Sequence, residues 1–367
     1  MISDSDKRRK LVMLTITEAC NLDCVYCYER GKTQAVMDIV VAKAAIQYEF
    51  ENSEGFDEIE IDLFGGEPTL RKDFIKELVT WTCSSGFAKP FLFFLQTNGT
   101  LVHGDFQDWL LKHRAHVNVG LSLDGTPSTH NKNRCNSYER IDTAFFAKNY
   151  PAQGVRMTIN SDTVGSLFED IVHLHHLGFS RVDAFFAHGI DWNIDAIECE
   201  LQTQLRLLCD YYLEYPEIKE CSIFAMRLDG LLHKETKLQK WCGTGTTMVS
   251  VGVDGKKYPC QAFQPNTASN PIELGVIQFN EIHDFSDPSC LSCSMESVCP
   301  NCYGINYLMT GDILKRDKQF CKITKLCAAA VSYLRARQIE KGTSRMLPRE
   351  IYQTIEAIQM LQRELAV

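Results

Sequence analysis

Three cysteines near the start of the chain have a spacing suited to binding iron. Cys20, Cys24 and Cys27 follow a short apolar run and are separated by three and two residues. Three thiolates at this spacing can ligate three irons of a four-iron, four-sulfur cluster, which leaves the fourth iron open to another ligand. A zinc site lacking one partner and simple core thiols are the alternatives that these cysteines alone leave open.

A second group of cysteines lies in a region, 241–321, that is rich in Cys, Gly and Pro and has little periodicity. Its members are Cys242, Cys260, Cys290, Cys293, Cys299, Cys302 and Cys321. Such an irregular segment rarely packs by apolar burial alone, so we expect metal ligation to hold it together. Seven cysteines are too many for one zinc ion.

Further polar and glycine residues come directly after predicted strands. Gly65, Gly66 and Glu67 follow the second strand, and Asn98 follows the third. Ser122 and Asp124 lie at the end of the fourth strand. The carboxyl ends of parallel strands share one face of a barrel, so these residues are expected to converge on one site.

The elements that must position these residues alternate between strand and helix from residue 11 to about 186. The six predicted strands are Leu11–Thr17, Glu58–Phe64, Phe91–Gln96, Val117–Leu123, Val155–Ile159 and Arg181–Phe186. This alternation predicts an α/β fold with a parallel sheet, a partial (β/α)6 barrel open on one side. After residue 321 helical spacing returns, with a break at Pro348.

The composition is that of a folded protein in a reducing compartment. Of the 367 residues, 45% are hydrophobic and 23% charged, and no apolar run is long enough for a signal peptide or a membrane span. We therefore expect a cytoplasmic protein whose 16 cysteines are metal ligands or free thiols. The net charge of -9 and the lack of a long basic stretch disfavour nucleic acid as a partner.

Taken together, the motifs of residues 11–186 resemble the radical S-adenosylmethionine (SAM) superfamily. Tyr26 is the aromatic residue that this family commonly places one position before the third cysteine. Gly65, Gly66 and Glu67 match the family's GGEP motif, whose backbone and carboxylate hold the SAM amino group. The resemblance implies that the first cysteine group holds a [4Fe–4S] cluster that binds SAM and cleaves it to a 5′-deoxyadenosyl radical.

The same resemblance assigns four more residues to SAM. Asn98, Ser122 and Asp124 match positions that border the SAM ribose and methionyl group in related enzymes. Arg134 resembles the arginine that related enzymes pair with the SAM carboxylate. A solvated surface arginine is the alternative for Arg134.

The second cysteine group, including the spacing to Gly255, resembles the SPASM domain, which binds two auxiliary [4Fe–4S] clusters. By this likeness the inner cluster is held by Cys242, Cys260 and Cys302, and the outer one by Cys290, Cys293, Cys299 and Cys321. Three clusters per chain are therefore expected. The alternatives are one auxiliary cluster, or a zinc ribbon built from Cys290, Cys293, Cys299 and Cys302.

This chain departs from the SPASM pattern in two places. Only two residues separate Cys299 from Cys302, where the family has three. The segment Gly243–Met248 holds no cysteine to complete the inner cluster, which leaves its fourth ligand to Cys221, Cys327 or a substrate group. The implied division is a radical SAM barrel over 11–190, a helical connection over 191–240, a SPASM domain over 241–327 and terminal helices over 328–367.

SPASM-containing enzymes characteristically modify peptides or proteins, so the resemblance implies a ribosomally made precursor peptide that is oxidatively crosslinked by a thioether or carbon–carbon bond. The competing enzyme is a sulfatase-maturing, formylglycine-forming type, in which an aspartate follows the inner-cluster cysteine. Gln261 stands there, and an amide cannot act as that base. A non-catalytic iron–sulfur electron carrier is the hypothesis from another class.

Two kinds of protein partner follow from these expectations. An external donor such as flavodoxin or ferredoxin must supply electrons to the clusters. Ten residues precede the first predicted strand, so recognition of a leader peptide is expected on the outer face of the barrel, on the C-terminal helices or on a separate leader-binding protein.

Overall fold

A computed structural model describes residues 8–232, 242–279 and 287–365. Within these ranges the strands are β1 Arg9–Thr17, β2 Glu58–Gly65, β3 Phe91–Thr97, β4 Val117–Ser122, β5 Val155–Ile159, β6 Val182–Phe186, β7 Met248–Val251 and β8 Lys257–Tyr258. The α-helices are α1 Ile39–Glu51, α2 Lys72–Ser84, α3 Asp105–Lys112, α4 Pro127–Asn133, α5 Thr143–Asn149, α6 Leu167–His176, α7 Ile194–Glu214, α8 Tyr303–Thr310, α9 Gln319–Glu340 and α10 Pro348–Leu365.

The described residues fall into two compact units. The first comprises 8–123, 130–153 and 242–279, and the second comprises 124–129, 154–232 and 287–365. The predicted boundary at residues 240 and 241 lies outside the described residues, and the four-part division of the chain stays a prediction.

The first unit is built on six strands in the order β4-β3-β2-β1-β7-β8. All neighbours are parallel except β7 and β8, which are antiparallel. Along β2 the apolar residues Ile59, Ile61 and Leu63 alternate with polar ones and are buried, as expected for a strand with one face on the core. The predicted α/β class with parallel strands is confirmed.

The second unit contains the parallel pair β5 and β6, followed by the long helices α7, α9 and α10. Pro348, predicted as a break between two helices, is the first residue of α10. Proline is well suited to that position, because its missing N–H would have no partner inside the helix. No helix within the described ranges is long and apolar enough to cross a membrane.

Within its described residues, the region predicted to be irregular contains β7, β8 and α8. The two strands have only four and two residues, which is too short for an alternation to be read from the sequence. Helix α8 has eight residues, begins directly after Cys302 and ends at Gly311, whose φ of 74° terminates it.

Candidate active site

The loop with the first three cysteines starts directly after β1. Cys27 N donates to Cys24 O (3.0 Å), and Lys32 Nζ lies 3.4 Å from Cys27 Sγ. Burial acts to lower the pKa of Lys32, but the nearby thiols of Cys27 and Cys20 outweigh it and raise that pKa. The charge of Lys32 acts to lower the pKa of Cys20, against the larger effect of burial, which raises it. The thiolate is the form of cysteine that binds iron.

Three cysteines at the spacing of Cys20, Cys24 and Cys27 are the donor set that a cubane cluster uses. In the described part of the chain, no three Cys, His, Asp or Glu side chains converge on a point that could hold one metal ion. A cubane cluster does not need such convergence, because each thiolate binds a different iron. Cys20, Cys24 and Cys27, with Lys32 beside them, therefore fit the predicted cluster.

The end of α4 packs against this loop and brings Arg134 to it. Val25 N donates to Asn133 O (3.0 Å), and the Arg134 guanidinium lies over the Tyr26 ring at 5.4 Å. Both Tyr26 and Arg134 are buried, which disfavours the reading of Arg134 as a solvated surface residue. The predicted contacts of both residues with SAM stay predictions.

Two glycines allow the end of β2 to lie against the cysteine loop. Gly65 has a φ of 142°, and a Cβ there would lie 2.0 Å from Thr17 O. A Cβ on Gly66 would lie 2.3 Å from Ala19 O, next to Cys20. Only glycine allows such a close approach, and it places the GGEP turn directly beside the cysteine loop.

Glu67 ties this turn to the end of β3. Its Oε1 accepts hydrogen bonds from Thr69 N (3.0 Å), Thr69 Oγ1 (2.5 Å) and Thr97 Oγ1 (2.7 Å), and its Oε2 accepts one from Asn98 N (2.8 Å). Burial raises the pKa of Glu67, and these hydrogen bonds oppose that rise. The carboxylate thus positions the ends of two strands; its predicted contact with the SAM amino group stays a prediction.

Asn98 extends the same network to the cysteine loop through a residue that the sequence did not single out. Asn98 Nδ2 donates to Asn21 Oδ1 (2.9 Å), and Asn21 Nδ2 donates to Thr100 Oγ1 (2.8 Å). Asn21 lies between Cys20 and Cys24, so this pair of amides fixes the loop against the end of β3. In the sequence, only the position of Asn21 directly after Cys20 could have indicated this role.

The other two strand-end residues are held by strands. Ser122 Oγ accepts from Gln96 Nε2 (2.8 Å) in the first unit. In the second unit, the fully buried Asp124 accepts from Thr158 N of β5 (3.0 Å). Their predicted contacts with SAM are not tested by this geometry.

The segment after Cys260 lies against the cysteine loop of the first unit. Gly31 N donates to Asn266 O (2.9 Å), and Asn266 Nδ2 donates to Glu29 Oε1 (3.1 Å). Burial raises the pKa of Tyr28, the residue after Cys27, and a hydrogen bond from the Gln261 side chain opposes that rise. Gln261 therefore interacts with the residue next to Cys27, the predicted third ligand of the first cluster.

The β7–β8 hairpin brings two predicted inner-cluster ligands together. Gly245 N donates to Pro259 O (3.0 Å), which holds the segments of Cys242 and Cys260 side by side. Cys302, the third predicted ligand, belongs to the second unit. The inner cluster stays a prediction.

The four cysteines of the predicted outer cluster interact within the second unit. Burial raises the pKa of Cys321, and the charges of Cys299 and Cys293 add to that rise. Burial also raises the pKa of Cys290, and the charge of Cys321 acts in the same direction. The charges of Arg316 and Lys318 act to lower the pKa values of Cys290 and Cys321, and so oppose the rise that burial causes.

Replacing Glu67 by alanine is expected to lower the free energy of unfolding by roughly 2–5 kcal/mol, because four donors lose their acceptor in a buried place. The affinity for SAM should fall as well, since the ends of β2 and β3 lose their tie. Anaerobic denaturant unfolding and SAM titration of the reconstituted protein measure the two effects. Glu77→Ala, an exposed carboxylate of α2 paired with Lys43, is the matched control. Equal stability of the two variants would contradict the positioning role.

Residues 14–161 match the model of the Radical SAM superfamily. A cysteine-type anaerobic sulfatase-maturating enzyme of Clostridium perfringens is 24% identical over 330 residues, which are 80% of this chain and 85% of that enzyme. The uncharacterized protein MJ0907 of Methanocaldococcus jannaschii is 32% identical over 117 residues, 32% of this chain. The chain covers 39% of that protein and 32% of the Fe-coproporphyrin III synthase of Methanosarcina barkeri.

Two solved structures share the fold over most of their length. The structure of anSMEcpe with bound AdoMet has a TM-score of 0.69 at 17% identity. The match covers 94% of this chain and 98% of the anSMEcpe chain. The structure of Streptococcus suis SuiB bound to precursor peptide SuiA has a TM-score of 0.55 at 16% identity. The match covers 85% of this chain and 76% of the SuiB chain. The cysteine loop and the GGEP turn lie within residues 14–161, the part of the chain that matches the Radical SAM superfamily.

Proposed function

We propose that this enzyme oxidatively crosslinks a ribosomally made precursor peptide through a thioether or carbon–carbon bond. Peptide substrates are supported by the two structural neighbours that hold peptides, SuiB with precursor peptide SuiA and anSMEcpe with the Kp18Cys peptide. The observation that favours crosslinking is Gln261, whose amide stands directly after Cys260 and interacts with Tyr28. A formylglycine-forming reaction needs a base at that place.

The residues of the first unit have the binding and positioning roles in this function. When the cluster and SAM are bound, they supply a 5′-deoxyadenosyl radical that removes a hydrogen atom from the peptide. Cys20, Cys24 and Cys27 hold the cluster, while Glu67 and Asn98 keep the strand ends in place around SAM. Reduced flavodoxin or ferredoxin is the proposed electron donor.

Sulfatase maturation is the second candidate, because the Clostridium perfringens relative matches 80% of this chain. Both reactions remove two hydrogens from the peptide. Formylglycine formation also exchanges the cysteine sulfur for oxygen, with release of sulfide, whereas a crosslink keeps every heavy atom of the peptide.

Mass spectrometry of peptides treated with reconstituted enzyme, SAM and a reductant separates these functions. The probes are candidate precursor peptides from short reading frames next to this chain's gene, the same peptides with Cys replaced by Ser, and the Cp18Cys peptide that a structure of anSMEcpe holds. We expect the candidate precursor peptide to lose two hydrogens. We expect no formylglycine on the Cp18Cys peptide. Product that disappears with the Ser peptide identifies a thioether, and product that persists identifies a carbon–carbon bond.

Formylglycine on the Cp18Cys peptide without modification of the encoded peptide would overturn the proposal. The Gln261→Asp variant helps to distinguish crosslinking from formylglycine formation, because it introduces the carboxylate that formylglycine formation uses. This variant should not increase the yield of crosslinked peptide.

A further inference from the structure

A cavity of about 680 Å³ lies within the second unit, and its wall is mainly apolar. Phe186 at the end of β6, Ile223 and Phe320 contribute to this wall. The volume is in the range of ordinary ligand sites and has room for side chains of a peptide. Cys302, a predicted ligand of the inner cluster, lines the same cavity.

Two polar side chains of this wall have buried atoms with no hydrogen-bond partner among the described residues, His188 at Nδ1 and Asp317 at Oδ2. They interact electrostatically with each other. Neither had been singled out from the sequence, because they lie far apart in the chain. A half-buried imidazole that interacts electrostatically with a half-buried carboxylate in a cavity wall is an arrangement suited to accepting a proton.

The surrounding structure fixes both residues in place. The His188 ring stacks on Phe320 with 4.7 Å between ring centroids. Trp192 N donates to Gln319 Oε1 (2.6 Å), which ties the loop after β6 to the start of α9. Gln319 N in turn donates to Asp317 Oδ1 (3.1 Å). Catalytic groups held in this way lose little freedom when a substrate binds.

The charge state of His188 suits the same role. Burial lowers its pKa, so the imidazole is neutral near pH 7, and the charge of Asp317 acts in the opposite direction. Asp317 would therefore stabilise the imidazolium once a proton arrives. The other titratable groups that line the cavity are Arg227, Asp229, Arg316, Cys302 and Cys327.

The two arginines and Asp229 have partners of their own. Arg227 pairs with Asp229 at 2.7 Å, and Arg316 donates to Pro300 O. Burial raises the pKa of Cys327 to about 12, so this thiol stays protonated and does not compete for a substrate proton.

We propose that His188 is the proton acceptor of the peptide oxidation, that Asp317 is its positioning residue, and that the cavity holds the reacting side chains. This inference rests on the proposed crosslinking function. The peptide loses a hydrogen atom from carbon, which ends in 5′-deoxyadenosine, and a proton from the atom that forms the new bond, which passes to His188. It also loses one electron, which an oxidised iron–sulfur cluster accepts.

The test compares His188→Gln and Asp317→Asn with wild-type enzyme on the encoded precursor peptide. His188→Gln should still form 5′-deoxyadenosine within about twofold of wild type, while crosslinked peptide falls on the order of 100-fold. His176→Gln, an exposed histidine of α6, is the matched control and should behave as wild type.

The pH profile separates a catalytic from a structural role. Wild-type product formation should fall at low pH as His188 becomes protonated, and His188→Gln should lack this acid limb. Asp317→Asn should move the limb to lower pH, because the carboxylate no longer raises the pKa of His188. An acid limb unchanged in both variants would overturn the inference.

Chemical modification of histidines in the reconstituted protein tests the proposed site without turnover. Diethyl pyrocarbonate reacts with neutral, accessible imidazoles, and peptide mapping gives its rate at each histidine. Bound precursor peptide should protect His188 and leave His176 reactive. Equal reaction of His188 with and without peptide would contradict the substrate cavity.

The two proposals fail in different ways. Wild-type enzyme that leaves the precursor peptide unmodified would refute the crosslinking function. A His188→Gln variant with as much product per 5′-deoxyadenosine as wild type would refute the proton acceptor alone.

Discussion

Replacing Cys20, Cys24 and Cys27 together by alanine is expected to remove about four irons per chain and all SAM cleavage. These cysteines are the predicted ligands of the cluster that binds SAM, and Lys32 Nζ lies 3.4 Å from Cys27 Sγ. Iron analysis of the anaerobically reconstituted protein measures the first effect. Electron paramagnetic resonance of the reduced protein, with and without SAM, measures the second.

The matched control replaces Cys83 and Cys199, two exposed thiols outside all predicted clusters. That variant should keep its iron and the change that SAM causes in the spectrum. If the spectrum of the triple alanine variant still responded to SAM, a different part of the chain would have to hold the SAM-binding cluster.

Replacing Cys290, Cys293, Cys299 and Cys321 together by serine should also remove about four irons, out of about twelve in the wild-type protein. The free energy of unfolding should fall strongly, because metal ligation holds this segment where apolar burial is limited. Arg316 and Lys318 would also lose their electrostatic interactions with Cys290 and Cys321. Iron and zinc analysis, together with thermal unfolding, measures the result.

Cys209→Ala is the comparison for this variant, since it removes a buried thiol of α7 that belongs to no predicted cluster. Cys209→Ala should lower the free energy of unfolding without any loss of iron. A wild-type protein with about four irons and one zinc would contradict two auxiliary clusters and favour a zinc ribbon.

The barrel strands were predictable because each is an apolar or alternating run bounded by turns. Predicted Val155–Ile159 coincides with β5, and the other five strands differ from prediction by at most two residues at an end. In contrast, β8 is two residues long and is defined by its pairing with β7, which no local pattern reveals. Helix α8 was missed because its eight residues follow a run of cysteines and Pro300.

The site was predictable only as far as its residues lie in local motifs. Gly65, Gly66 and Glu67 form one run, and the close approach of this turn to Thr17 and Ala19 explains why glycine is needed there. The hydrogen bond between Asn21 and Asn98, and the electrostatic interaction of His188 with Asp317, join residues far apart in the chain. Only the folded structure brings them together.

The most direct measurement of the central claim is the yield of 5′-deoxyadenosine from SAM. Anaerobically reconstituted wild-type protein, reduced and given SAM, should form it, and the triple variant of Cys20, Cys24 and Cys27 sets the background. Addition of the encoded precursor peptide should raise the yield, with crosslinked peptide appearing alongside. A wild-type yield no higher than that of the triple variant would contradict a radical SAM enzyme and leave an iron–sulfur electron carrier as the better description.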